Sequence, residues 1–94
     1  MLKWEYEILD PEGLHARPAS KLVMTSIKYQ SEIRILCGGK NADAGNILEV
    51  MALGVRRKDK ITIEVSGSDE EAALEAVKRT LVQNDDLNPH GGYK

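Results

Sequence analysis

ITIEVSGSDEEAALEAV, residues Ile61 to Val77, decides the fold because its periodicity changes in the middle. Over ITIEVS the residues Ile61, Ile63 and Val65 alternate with Thr62, Glu64 and Ser66, the two-residue period of a strand with one buried face. After Gly67 the pattern turns helical. Ser68 to Glu71 reads as an S-x-x-E capping box, Asp69 and Glu70 suit the positive end of a helix, and the alanine-rich run continues to about Gln83. A half-buried strand followed at once by an amphipathic helix calls for a sheet covered by helices on one face only.

Working outward, LKWEYEIL repeats the strand signal: Leu2, Trp4, Tyr6 and Ile8 alternate with Lys3, Glu5 and Glu7. Pro11 and Gly13 then break the pattern. From Ala16 a helical stripe follows, with Ala19, Leu22, Val23, Ser26 and Ile27 at helical spacing, and the helix is expected to end near Tyr29. EIRILC places Ile33, Ile35 and Cys37 on one face. Gly38-Gly39 suits a tight hairpin, so a return strand is expected from Lys40 even though KNADA has poor strand propensity. A short helix is predicted from Ile47 to Leu53, with Asn46 as N-cap, Glu49 as its capping-box partner and Gly54 at the C′ position. The order is β-α-β-β-α-β-α: an α+β, open-faced β-sandwich whose four-stranded antiparallel sheet is covered on one face by helices and wet on the other.

Length and charge narrow the function classes. At 94 residues the chain is expected to form one domain over residues 1–94, with a polar, breaker-rich tail from about residue 84. Thirteen basic residues against fifteen acidic ones give a net charge of −2, and the one tryptophan and three tyrosines form no stacking motif, so no nucleic-acid partner is expected. No apolar run is long enough to span a membrane, and no secretory signal is apparent. Cys37 is the sole cysteine, which excludes an internal disulfide and fits a cytoplasmic protein. Cys37 is read as a structural thiol, VRRKDK as a solvated basic loop, and His90 as surface; no metal site and no cofactor are expected.

EGLHARPAS, Glu12 to Ser20, raises the chemical question. With a helix starting at Ala16, His15 sits at its N-cap, where the amides of Ala16 and Arg17 have no partner inside the helix and the dipole is positive. Arg17 adds a forked cation, and Pro18 is tolerated in the first turn. This arrangement suits an anion, and a neutral imidazole there is a competent nucleophile. Such residues more commonly form a solvated cap, and by themselves they leave both readings open.

GLHARPAS resembles the phosphorylation-site motif of the HPr family, the histidine-containing phosphocarriers of the bacterial phosphoenolpyruvate-dependent sugar phosphotransferase system (PTS). SKLVMTSIKY, the GGK hairpin and VMALG resemble the family's first helix and middle. The resemblance runs without a gap from Gly13 to Gly54 and more weakly to about Leu81. It implies a cytoplasmic carrier, not an enzyme, that takes a phosphoryl group on Nδ1 of His15 from Enzyme I and passes it to IIA components. Arg17 and the amide of Ala16 would hold the phosphate, and Ser20, Ile47, Leu48 and Met51 would form the docking patch. A monomer is expected, and a transcriptional regulator is a further candidate partner. Asn46 stands where many relatives carry a regulatory serine, and Glu49 places an acid next to the patch. These departures motivate the rival reading: a regulatory interaction protein on the same scaffold, docking through the second helix with little transfer activity.

Overall fold

A computed structural model describes residues 1–87 of the protein, with side chains through Asn84. Its elements follow the predicted order: strand β1 (Leu2–Glu7), helix α1 (Ala16–Ser26), strands β2 (Glu32–Cys37) and β3 (Lys40–Asp43), helix α2 (Ile47–Ala52), strand β4 (Lys60–Ser66) and helix α3 (Glu70–Leu87). The four strands form one antiparallel sheet in the order β1-β4-β2-β3. The last strand in sequence therefore lies between the first two.

Register explains the core. Ile63 of β4 stands opposite Trp4 of β1 and Ile35 of β2, while Val65 stands opposite Leu2 and Ile33. The alternation read from each strand thus lands on one shared face. Ile35, Ile61, Ile63 and Val65 are fully buried there against Ala19 and Leu22 of α1, Val50 of α2, and Ala73 and Val77 of α3. Burying each branched side chain contributes roughly 1.5–3 kcal/mol, so this seam is a large part of the favourable term. The opposite face holds Lys3, Glu5, Glu64 and Arg34, with Lys3 and Glu64 paired across strands at 3.4 Å. Among the described residues no helix is long and apolar enough to cross a membrane.

Several local expectations are corrected. The first helix ends at Ser26 rather than near Tyr29, and Ile27, placed on its buried stripe, is 64% exposed. Beyond Ile27 the amides of Lys28 and Tyr29 donate three residues back, to Thr25 and Ser26, and the Asp69 carboxylate then accepts the amides of Gln30 and Ser31 and the Ser31 hydroxyl, at 2.8, 2.9 and 2.6 Å, where the chain turns into β2. The same contact corrects the capping of α3. The predicted Ser68–Glu71 box does not form; Asp69 precedes the helix, and Glu70 reaches back to the Gly67 amide at 3.2 Å. These bonds, that from the Ser31 hydroxyl foremost, hold the Asp69 carboxyl below its ordinary value.

At α2, Asn46 caps as expected, its side-chain oxygen accepting the amides of Leu48 and Glu49 at 3.0 and 3.2 Å. Glu49, however, does not complete the box. Its carboxylate accepts the Asp43 amide at 2.9 Å and so ties α2 to β3. The helix closes at Ala52, one residue short of the prediction, with Gly54 at φ +64° beyond it. Gly38 and Gly39 both have positive φ, as the hairpin requires. Helix α3 runs to Leu87, a turn past the predicted end, so residues 84–87 are helical rather than tail. The remainder of the proposed tail, with His90, lies outside the described residues.

Candidate functional site

The site begins with the turn that ends β1. Asp10, Pro11 and Gly13 are the residue types a type I turn favours at its first, second and last positions, and the Gly13 amide donates to the Asp10 carbonyl at 2.8 Å. The Asp10 side chain reinforces the turn by accepting the Glu12 amide on Oδ1 at 2.8 Å. Gly13 adopts φ +70°, and a Cβ there would lie 2.4 Å from the Val55 carbonyl oxygen and 2.7 Å from Arg56 Cα. That close approach lets the Leu14 amide donate to Val55 O at 3.1 Å, fastening the turn to the loop after α2. Leu14 on one side and Pro18 and Ala19 on the other enter the core, which leaves His15 between them facing outward at the start of α1.

His15 is the N-cap residue by its backbone, with φ −83° and ψ −174°, yet its ring makes no capping bond. The ring meets Asp10 instead: Nε2 lies 3.0 Å from Oδ2. Asp10 is 2% exposed. Burial alone would raise its carboxyl, but the Glu12 amide, the His15 ring and the Asn84 carboxamide, which donates to Oδ2 at 3.2 Å, hold it below the ordinary value of 3.8. An ionised carboxylate can only accept, so the proton of a neutral ring must sit on Nε2. The lone pair is then on Nδ1. That nitrogen lies 3.8 Å from Glu12 Oε1, beyond hydrogen-bond reach, and Glu12 is 77% exposed.

His15 and Arg17 line one shallow open depression together with Asp10, Pro11 and Glu12. Ala16 and Arg17 are the first two helical residues, Pro18 has no amide, and the bonding ladder opens with Ala19 donating to the His15 carbonyl at 3.0 Å. The His15 ring and Arg17 therefore line one depression at the start of α1, where the first-turn amides of Ala16 and Arg17 lie outside the helical ladder. A second depression shares Pro11 and Glu12 and is lined further by Arg56, Arg57 and Asp59.

The candidate docking residues fall outside this mouth. Ile47, Leu48 and Met51 are exposed on α2, Leu48 to 79%, while Val50 and Leu53 are buried as the helical spacing predicts. Ser20 is exposed on α1. Ile27 extends the apolar surface toward α2, its Cγ2 standing 3.4 Å from where a Gly45 Cβ would be. Three site residues escaped the sequence reading: Asp10, Glu12 and Asn84. An aspartate before proline at a turn signals an Asx bond and could have drawn notice to Asp10. Nothing local could have drawn notice to Asn84, which is 74 residues away from it.

Residues 2–83 match the family model described as the PTS HPr component phosphorylation site. The chain is 42% identical over 85 residues to the phosphocarrier protein HPr of Mycoplasma genitalium, covering 89% of this chain and 97% of that protein. The solved structure of a Mycoplasma histidine-containing phosphocarrier protein is 36% identical, with a TM-score of 0.88 over 89% of this chain and 96% of that one. The Bacillus subtilis catabolite repression protein Crh is more distant, at 30% identity and a TM-score of 0.69, covering 90% of this chain and 97% of that one.

Proposed function

This chain belongs to the HPr family, the phosphocarriers of the sugar phosphotransferase system, and from that premise we propose that His15 is its phosphoryl acceptor, through Nδ1. As a family member it relays phosphate rather than catalysing a reaction of its own, and the family implies Enzyme I and IIA components as its partners. The observation that carries the assignment of His15 is the 3.0 Å contact between Nε2 and the buried Asp10, which leaves the lone pair on the outward nitrogen. That pair attacks phosphorus; the N–P bond forms as the bond from phosphorus to the donor breaks, and the departing electron pair stays with the donor. The amides of Ala16 and Arg17 and the Arg17 guanidinium stabilise the charge on the phosphoryl oxygens.

Ser20, Ile47, Leu48 and Met51 are assigned to partner docking, beside the mouth and outside it. A transcriptional regulator would engage the same face. The Glu49 charge that motivated a regulatory reading is engaged with the Asp43 amide, which weakens the case for it as a partner-selecting group. Asn46 keeps the cap but cannot accept phosphate as a serine does, so this position offers no serine-kinase switch. The working place of the relay is the cytoplasm. Incubation with phosphoenolpyruvate and Enzyme I should give an acid-labile, alkali-stable phosphate that is absent in His15→Ala and forms more slowly in Arg17→Ala. Undiminished label in His15→Ala would refute the assignment.

A further inference from the structure

We propose that Asp10, backed by Asn84 of α3, is a positioning pair that keeps one proton on Nε2 of His15 through the whole phosphoryl cycle. The inference rests on His15 being the acceptor and says how its ring is held ready in both directions. Each oxygen of Asp10 has a separate task. Oδ1 accepts the Glu12 amide and belongs to the turn, while Oδ2 accepts from His15 Nε2 at 3.0 Å and from the Asn84 side chain at 3.2 Å. Asn84 is buried and comes from the far end of the chain, so the carboxylate is fixed from two elements at once.

The chemistry needs that proton twice. On arrival, Nε2–H leaves the Nδ1 pair free to form the N–P bond, and no proton moves. The product, phosphorylated at Nδ1 and protonated at Nε2, is an imidazolium, which the adjacent carboxylate stabilises. On departure the N–P bond breaks with its electron pair returning to Nδ1, and the leaving group is a neutral imidazole rather than an imidazolate. The phosphoryl group therefore leaves readily for the next acceptor. Groups of both signs, Glu12 and Arg17, line the mouth, and among the described residues it is Asp10 that lies within hydrogen-bond distance of Nε2, at 3.0 Å.

The test is Asp10→Asn, read by ring nitrogen-15 NMR and by the rate of phosphorylation. The Glu12 amide needs an acceptor at the Oδ1 position; with the asparagine oxygen there its NH2 group faces Nε2 and the Asn84 carboxamide, which turns over to present its oxygen. A donor at that place selects the opposite tautomer and moves the proton to Nδ1. The wild-type ring should be protonated on Nε2, the variant ring on Nδ1, and phosphorylation should slow at least about tenfold, the same exchange behind a serine-protease imidazole costing about 10⁴. Asn84→Ala removes the second support without touching the turn and should slow transfer severalfold. A wild-type ring protonated on Nδ1, or an unchanged tautomer and rate in Asp10→Asn, overturns the proposal, as does an unchanged rate in Asn84→Ala. Phosphate persisting in His15→Ala would instead mark failure of the acceptor assignment, whatever the ring tautomer shows.

Discussion

Gly13→Ala separates a steric demand from a conformational one. An L-residue forced to φ +70° loses about 1–2 kcal/mol from backbone sterics alone. The added Cβ would also stand 2.4 Å from Val55 O and 2.7 Å from Arg56 Cα, both backbone atoms that no rotamer change can move. Relief requires the turn and the loop to part, which breaks the Leu14–Val55 bond and leaves a buried amide to find water, roughly another 1–3 kcal/mol. The expected loss is thus about 2–5 kcal/mol. Gly38→Ala is the control, because Gly38 has φ +57° but nothing within 4 Å of its Cβ position, so it should lose about 1–2 kcal/mol only. Thermal melting should place Gly13→Ala about 4–24 °C below Gly38→Ala, since each of the extra 1–3 kcal/mol shifts a domain of this size by about 4–8 °C. Equal melting temperatures would refute the claim that the His15 loop is clamped by close backbone approach.

Asn46→Ala removes the acceptor of two amides at the start of α2 and should cost about 1 kcal/mol in urea denaturation; no loss would remove Asn46 from its capping role. Leu48→Asp alters a side chain 79% exposed, so stability should stay within about 0.5 kcal/mol while affinity for Enzyme I, measured by calorimetry, falls; unchanged affinity would take Leu48 out of the docking face. Asp10 and Asp69 both have carboxyls held below their ordinary value of 3.8, so the stability they contribute is complete above that pH and is lost as pH falls through their lower folded values. Urea midpoints taken downward from pH 5 should therefore drop below about pH 4, and less steeply in Asp69→Asn; equal slopes would contradict the assigned role of Asp69.

Local patterns carried most of the architecture. Alternation in β1, β2 and β4 marked which side chains face inward, but not the strand order that sets Ile63 between Trp4 and Ile35. The Gly38-Gly39 turn located β3 despite its poor propensity, because a hairpin forces its return strand. Errors gathered where a distant group overrides a local preference. The local sequence assigns Asp69 to the start of α3 alone; in the fold its carboxylate also accepts the amides of Gln30 and Ser31, where the chain leaves α1 for β2. Glu49 matched the capping-box spacing, yet an amide of the neighbouring strand competes for it. At the site, the motif singled out His15 and Arg17, which the fold places along one depression, whereas the carboxylate behind the ring is joined there by the Asn84 side chain from the other end of the chain.

Strand order has a consequence for how the protein is made. The β1 and β2 strands emerge early from the ribosome but share no hydrogen bonds; each waits for β4, which is translated last among the strands and slots between them. A nascent chain halted before residue 60 has every strand but the one that joins β1 to the β2–β3 hairpin, and it leaves Ile33 and Ile35 without their partners on β4. Such a sheet closes in a single late event over large sequence separations, so truncated products should be cleared as unfolded chains rather than accumulate as half-built carriers.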